Sequence, residues 1–459
     1  MAINEKLYQR FFEKRPSHLS ATQIVAIVFA AIILVGTLLL MLPVASRDGQ
    51  SCGPLVALFT ATSTTCVTGL TLCDTYTQWS GFGQVVIICL IQIGGLGFMS
   101  VATMVVFLLR RKVSLRQRLV MAQALSLNDM EGVVRLQKWV IFGSLSIEAT
   151  GALILTLRFL PEYGFWNALK LGVFHAVSAF CNAGFDIFGF ITPGASLIEL
   201  NRDPVVLLTL GALVIIGGLG FLVWEEVAKV RRFKKMTVYT RLVLVTSLAL
   251  LVFGTAAFAA LEWNNPDTIG GMSVGHKLLN SFFQSVTVRT AGFAAVDQAA
   301  LTEAGKGVSM ALMLVGGSSG STAGGVKTVT MMVLLLFIWS RARGKSSVCV
   351  FRRTIAAGHV MNAMTIVSIL VGLSLVGAVI ICATSPVSFT NGLFESVSAL
   401  ATVGLTAGAT SLLSLPAKLL MIVFMYFGRV GVLTISLGFL MGTEAQERFH
   451  YAQTDVLIG

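Results

Sequence analysis

The chain has 459 residues, of which 55% are hydrophobic and only 12% are charged, and its mean hydropathy is +0.84. This composition excludes an ordinary soluble globular protein and indicates that a membrane is the main solvent. The formal net charge is +12, but no basic cluster is interleaved with aromatic residues on a soluble module, which argues against a nucleic-acid partner.

The first apolar run, residues 22–42, follows a basic N-terminal segment that we predict to be cytosolic, residues 1–21. A run of about 20 apolar residues can cross a hydrocarbon core of about 30 Å. Because this run is too long for a signal-peptide core and has no small-residue cleavage site, we interpret it as a retained helix. Similar runs recur to the end of the chain, for example at residues 361–383.

Basic residues alternate with these runs. Of the 33 Lys and Arg, 23 fall in residues 1–21, 110–138, 229–241 and 341–353 or at Arg448. Such an asymmetry predicts that both termini are cytoplasmic and that the number of spans is even. Anionic lipids or a cytosolic protein are the partners that the basic loops would favour.

Four segments along the chain align with one another, at residues 59–71, 174–186, 282–294 and 394–406. In each, a phenylalanine precedes a glycine by ten residues, which gives the pairs Phe59/Gly69, Phe174/Gly184, Phe282/Gly292 and Phe394/Gly404. The register predicts an all-α integral membrane fold of four repeats. Each repeat consists of a helix, a re-entrant segment too short to span, and a second helix, so we expect eight spanning helices.

Non-helical backbone at membrane depth is tolerated where it lines a water-filled path or is buried in protein. Four such segments around one axis therefore predict a central pore. Backbone carbonyls can replace the hydration shell of a cation, and glycine tolerates the backbone angles that turn them inward. A single glycine in a membrane helix would more often serve helix packing, but four glycines in the same register favour the pore.

A second set of glycines lies in the second helix of each repeat. The two GGLG sequences, within residues 93–99 and 216–222, are typical of close helix packing. The third copy differs, because residues 316–325 are all Gly, Ser, Thr or Ala, which predicts an unwound loop that blocks or clears the path. It is not a phosphate-binding loop, since Val326 separates Gly325 from Lys327 and no strand precedes it.

Several charged residues lie within or near apolar stretches. We expect Arg429, near mid-membrane, to face water, a counter-charge or carbonyls, and Lys327 to extend towards the cytosolic end. Glu148 and Glu395 are interpreted as structural, with Arg289 or a neighbouring amine as the partner of Glu395. The acids that follow the glycines either draw cations to an outer mouth or keep the loops soluble; they are Asp74, Asp186 and Asp297.

Other classes of protein find little support. The five histidines have no metal-binding companion at helical spacing and the seven cysteines have no metal-ligand spacing, so no metal site beyond the transported ion is predicted. No helix-borne HExxH and no Ser/His pair indicates an enzyme. A carrier with inverted repeats would need halves of opposite topology, whereas all four repeats begin on the same side.

The fourfold pattern, with SVTVRTAGF and SALATVGLTAG, resembles the superfamily of potassium transporters that includes the Trk, Ktr and HKT proteins. The short N-terminal segment and the final TDVLIG are most similar to the KtrB membrane subunits of bacterial Ktr systems; a Trk-type transporter with another regulatory partner is the alternative. The resemblance implies a potassium-channel-like, pseudo-fourfold pore that takes up potassium across the bacterial cytoplasmic membrane. Sodium dependence is an expectation from the family alone.

The resemblance also implies roles for residues and partners. The selectivity filter would comprise Val67, Thr68, Gly69, Asn182, Ala183, Gly184, Thr290, Ala291, Gly292, Thr402, Val403 and Gly404. The gate would comprise Gly316, Gly317, Ser318, Ser319, Gly320, Ser321, Thr322, Ala323, Gly324, Gly325, Lys327 and Arg429. A homodimer would bind a cytosolic ring of nucleotide-binding regulatory subunits (KtrA/KtrC-like), with potassium as substrate and no organic cofactor. The predicted repeats are residues 22–110, 134–228, 240–342 and 359–442, followed by a cytosolic tail, 443–459.

Overall fold

The computed structural model describes residues 21–97, 133–345 and 347–431. The predicted cytosolic N-terminal segment up to residue 20, the ends of the first and fourth repeats (98–110 and 432–442), most of the basic loop at residues 110–138 and the C-terminal tail lie outside the described residues.

The described part of the chain is mostly helical, with one small hairpin. The helices in its first half are α1 (Ala21–Leu40), α2 (Pro54–Thr65), α3 (Thr75–Gln78), α4 (Gly81–Leu96), α5 (Val133–Phe180), α6 (Pro204–Leu219) and α7 (Phe221–Val230). Those in its second half are α8 (Val238–Glu262), α9 (Val274–Thr287), α10 (Glu303–Leu314), α11 (Thr328–Ala342), α12 (Ala357–Thr384), α13 (Phe389–Leu400) and α14 (Leu415–Val430). Strands β1 (Cys349–Val350) and β2 (Arg353–Thr354) pair antiparallel between α11 and α12.

Each of the four glycine segments follows a short buried helix, which we call a loop helix. The loop helices are α2, the end of α5 after Gly164, α9 and α13; Gly164, at φ 72°, separates the last part of α5 from the long helix before it. Capping residues set where the helices that follow the glycine segments begin: Ser80, Asp203, Thr302 and Ser414 each accept a backbone amide of the first turn. Such side chains satisfy amides that have no intrahelical partner.

Four helical segments are long and apolar enough to cross a membrane, Gln23–Leu40, Val134–Phe180, Val238–Glu262 and Ala357–Thr384. A fifth results if Pro204–Leu219 and Phe221–Val230, bent by 94° at their junction, form one span. Large apolar side chains on these helices are exposed, among them Leu38, Phe142, Leu248 and Val379, as expected for surfaces that face lipid. The count of eight spans stays a prediction, since Gly81–Leu96 and Thr328–Ala342 are shorter apolar helices.

The two GGLG sequences do more than pack helices. Gly94 and Gly217 do pack closely, because a Cβ atom on either would overlap a carbonyl oxygen at the end of a loop helix, that of Thr65 or Phe180. The last glycine of each motif instead ends its helix: Gly97 and Gly220 have φ of 80° and 93°, and Gly431 at the end of α14 has φ of 96°. The prediction of packing alone was therefore incomplete for Gly97 and Gly220, which, like Gly431, end their helices at corresponding places in the repeats.

Neighbouring glycines of one motif give a direct test of this packing. We expect Gly217→Ala to destabilise the protein by about 2 kcal/mol, because overpacking a close contact costs about 1–3 kcal/mol. Gly218→Ala serves as the matched control, since a Cβ atom there would lie an ordinary 3.5 Å from Asn182 Nδ2. Thermal unfolding of both variants in detergent measures the difference, and equal melting temperatures would contradict the packing role of Gly217.

Candidate functional site

The four repeat glycines meet in one ring. A Cβ atom on Gly69, Gly184 or Gly292 would lie 2.7 Å from the carbonyl oxygen of Ala183, Ala291 or Val403, respectively. A Cβ atom on Gly404 would overlap the carbonyl oxygen of Thr68. Each glycine thus touches the residue that precedes the glycine of the next repeat, and the fourth touches the first. The contacts close a cycle in the order of the sequence, which we call the glycine ring.

The backbone of the ring is left-handed at two positions in every repeat. The glycines themselves have φ between 70° and 102°, and so do four side-chain-bearing residues two positions earlier, at φ from 52° to 66°: Val67, Asn182, Thr290 and Thr402. A β-branched residue in this region is a genuine outlier, and such strain, of order 1–3 kcal/mol, collects at functional sites. The strained backbone therefore marks the ring as a candidate functional site.

Hydroxyl groups of the loop helices hold these backbones in place, a role that the sequence prediction missed. Ser63 Oγ accepts from the Gly69 amide and Ser398 Oγ accepts from the Gly404 amide, both at 3.1 Å. Ser178 Oγ and Thr287 Oγ1 instead donate to the carbonyl oxygens of Phe185 and Phe293, both at 2.7 Å. A hydroxyl residue five or six positions before each glycine is the sequence signal that could have identified them.

A cavity of about 340 Å³ lies directly on one side of the ring and is lined by all four glycines. The predicted mouth acids Asp74, Asp186 and Asp297 all line it. Each also serves the local fold, since Asp74 accepts from the amides of Thr77 and Gly194, and Asp186 and Asp297 each accept an amide two residues on. Burial, with a smaller contribution from the charge of Asp74, raises the pKa of Asp186 to about 6.

The glycine-rich loop, residues 315–327 between α10 and α11, lies on the other side of the ring. A Cβ atom on Gly324 would overlap Thr402 Oγ1, and Thr322 Oγ1 donates to the carbonyl oxygen of Phe180, at 3.1 Å. Both partners precede the ring glycines in their repeats. Thr68 Oγ1 and Thr402 Oγ1 are buried and have no hydrogen-bond partner in the described parts of the chain.

Hydrogen bonds between segments hold this loop in a defined shape. Val315 and Val326 form a parallel bridge, and the amides of Ser318 and Thr322 donate to the carbonyls of Gly218 and Gly217. In return, the amide of Phe221 donates to the carbonyl of Gly320, at 2.8 Å. The interrupted helix of the second repeat therefore supports the loop of the third.

Arg429 of α14 joins the loop to two other repeats. Its guanidinium donates to the carbonyl oxygens of Thr322 and Gly94, and to that of Gly95 at 3.2 Å. Among the ion pairs found within residues 21–97, 133–345 and 347–431, none includes Arg429. Water, a counter-charge or carbonyls were predicted to surround this arginine, and the structure shows carbonyls.

Two predictions about charged side chains were wrong. Lys327 does not extend towards a membrane surface, because its Nζ donates back to the carbonyl of Ala323 in the loop, at 2.9 Å. Glu395 does not pair with Arg289; it accepts from Thr406 Oγ1, from the Ala407 amide and from Thr410 Oγ1. Glu395 thus fixes the segment after Gly404.

Glu148 packs against the loop helix of the second repeat. It accepts two hydrogen bonds from Gln92 Nε2, at 3.1 and 3.0 Å, and lies 4.0 Å from Cys181 Sγ. These contacts agree with the structural role predicted for this buried carboxylate.

These features define a helical membrane protein of the ion-transporter class, and the comparisons place it in a family. The chain belongs to the TrkH family of cation transport proteins, which it matches over residues 5–451. Members of this family are ion transporters, so the prediction that the chain is not an enzyme is confirmed, as is the resemblance to the Trk and Ktr proteins.

Characterised relatives cover nearly the whole chain. It is 38% identical to the potassium/sodium uptake protein NtpJ of Enterococcus hirae, over 96% of this chain and 98% of that protein. It is 39% identical to the Ktr system potassium uptake protein B of Bacillus subtilis, over 95% and 96% of the two chains. The crystal structure of the potassium transporter TrkH from Vibrio parahaemolyticus matches with a TM-score of 0.71, covering 94% of this chain and 87% of that chain. At 17% sequence identity, the last match shows the shared fold.

Proposed function

We propose that this chain takes up potassium across the bacterial cytoplasmic membrane through a gated central pore. The closed cycle of contacts between each ring glycine and the carbonyl before the next carries this proposal. Four carbonyl-bearing segments at one level can replace the hydration shell of a cation without full charges that would trap it. The names of the relatives, which are potassium or potassium/sodium uptake proteins, agree with this substrate.

The filter would consist of the residue triplets that end at Gly69, Gly184, Gly292 and Gly404. Its oxygens would include the unpartnered hydroxyls of Thr68 and Thr402, and the acid-lined cavity would collect cations beside it. Because the glycine is the only residue common to all four triplets, we infer one principal site rather than a row of equivalent sites.

The gate would be the glycine-rich loop together with Arg429. The loop contacts Thr402 and Phe180, so it lies across the path that an ion leaving the ring would take. The guanidinium holds the loop and places a positive charge beside that path, where it opposes a cation. Movement of the loop would then couple opening to displacement of this charge.

The proposal also includes the topology: four repeats with the limits predicted above, eight spans, and both termini in the cytoplasm. We further propose a homodimer that binds a ring of nucleotide-binding regulatory subunits through its basic loops and C-terminal tail. The naming of several relatives as parts of a Ktr system supports the existence of partner subunits. Sodium dependence belongs to the same proposal, since one relative is a potassium/sodium uptake protein.

Uptake by a host that lacks its own potassium transporters tests the proposal. We expect the chain to restore growth of the host at low potassium and to accumulate rubidium in preference to sodium. Both measurements are made with and without the regulatory ring, and rubidium uptake is also measured with and without sodium. The empty vector and an unrelated membrane protein are the controls. Equal accumulation of rubidium by cells with and without the chain, under every condition, would contradict the proposal.

A further inference from the structure

A lateral cavity of about 720 Å³ lies apart from the glycine ring, between α8, α11, α12 and the hairpin. The first turns of α12 contribute His359 and Asn362 to its wall, and Ile366 lies further along the same helix. At a rise of 1.5 Å per residue, His359 and Ile366 are about 10 Å apart along the helix. The wall of the cavity therefore changes from polar to apolar over this length. Leu242 of α8 and Val333 of α11 continue the apolar part. A cavity of this size and polarity is typical of a ligand site.

The polar end of the cavity is strongly basic. Residues 229–241 and 341–353, which adjoin it, contain 11 Lys and Arg and no acidic residue. Arg353 lines the cavity and forms no ion pair with any residue in the described ranges. Arg241 lies over the ring of Phe351 in the hairpin, 4.7 Å from its centroid, and its buried Nε has no described hydrogen-bond partner. The nearby carboxylate of Glu226 accepts from Thr237 and Thr240 and offsets part of the charge of Arg241, but it does not line the cavity.

We propose that this cavity binds an anionic phospholipid, with an acyl chain against Leu242, Val333 and Ile366 and the phosphate at Arg353. Guanidinium groups bind phosphate oxygens through paired hydrogen bonds, and basic pockets between membrane helices bind lipid headgroups. The same helices α11 and α12 also carry exposed apolar side chains, those of Leu335, Ile338 and Met361, as expected for surfaces that face lipid.

The lipid site is connected to the glycine-rich loop. Tyr239 lines the cavity, and its hydroxyl donates to the carbonyl oxygen of Ser319 in the loop, at 3.0 Å. Val329 and Thr330, which also line the cavity, belong to the first turn of α11 directly after the loop. A bound lipid would thus favour one position of the loop. This coupling rests on the proposed gating function, whereas lipid binding does not.

Native mass spectrometry of the purified chain tests binding. We expect retention of phosphatidylglycerol over phosphatidylcholine, and an affinity for phosphatidylglycerol about fivefold lower in Arg353→Ala. Arg352→Ala is the matched control, because it removes the same charge from the adjacent hairpin residue, which does not line the cavity. Thr330→Trp, which fills the cavity from α11, should also reduce retention. Equal losses in Arg353→Ala and Arg352→Ala would overturn the site in favour of general surface charge.

Two further results would also overturn it. Displacement of the lipid by inorganic phosphate alone would indicate a simple anion site, and loss of dimers without loss of lipid in Thr330→Trp would assign the cavity to a second copy of the chain.

Rubidium flux into vesicles tests the coupling. We expect phosphatidylglycerol in phosphatidylcholine vesicles to change the flux of the unmodified chain several-fold. This response should disappear in Tyr239→Phe, which keeps the aromatic ring but cannot donate to the Ser319 carbonyl; lipid retention by the variant is measured alongside. An unchanged response in Tyr239→Phe would contradict the coupling. Absence of flux in both membranes would contradict the proposed function instead, and the mass spectrometry would still decide on the lipid site.

Discussion

We expect Gly404→Ser to reduce the preference for potassium over sodium about tenfold or more, a change that corresponds to ~1.4 kcal/mol. The glycine has φ of 93°, and a side chain there would overlap the carbonyl oxygen of Thr68. That carbonyl has to move, and with it the set of oxygens that the proposed filter would offer to an ion. Competition of sodium with rubidium uptake, measured in transport-deficient cells, gives the preference.

A matched glycine separates the effect of the ring from that of backbone strain. Gly49 also has a positive φ, 71°, but a Cβ atom there would have nothing within 4 Å. Gly49→Ser should therefore pay a similar conformational cost and leave the ion preference unchanged. If Gly404→Ser were well expressed and discriminated as well as Gly49→Ser, the glycine ring could not be the selectivity filter.

Arg429→Ala should raise rubidium flux about tenfold, which corresponds to lowering the barrier by ~1.4 kcal/mol. The substitution removes a positive charge beside the proposed path and the hydrogen bonds to Thr322, Gly94 and Gly95. At an effective dielectric constant of about 20, a unit charge 4 Å from a cation opposes it by about 4 kcal/mol, so a tenfold effect needs only part of this repulsion. Initial rates of uptake into vesicles measure the flux.

Two further substitutions at this position distinguish charge from hydrogen bonding. Arg429→Gln removes the charge but keeps a donor, and we expect it to behave like the alanine variant. Arg429→Lys keeps the charge on a compact ammonium that cannot reproduce the planar donor geometry of arginine, and its flux should stay close to that of the unmodified chain. Unchanged flux in both Ala and Gln variants would mean that Arg429 anchors the loop without forming the barrier.

The repeat register could be predicted because it depends on local sequence. Every repeat contains its own Phe-to-Gly spacing, and Ser80, Asp203, Thr302 and Ser414 begin the following helices by local capping. The loop of the third repeat was equally visible, because ten consecutive small residues from 316 to 325 favour irregular backbone whatever surrounds them.

Contacts between repeats could not be predicted in this way. The amides of Ser318 and Thr322 in the third repeat donate to the carbonyls of Gly218 and Gly217 in the second. Arg429 reaches carbonyls 107 and 334 or more positions away. Such partners are set by the packing of one repeat against another, and no spacing within a single repeat encodes them.

The sequence by itself determined that this is a membrane protein of four similar units, each with one glycine at the same point of its loop. Only the tertiary structure decided what those glycines touch and in which order. The reason is physical: a glycine permits a left-handed backbone wherever it occurs, but the carbonyl of the next repeat leaves no space for a side chain only after four segments more than 100 residues apart have met.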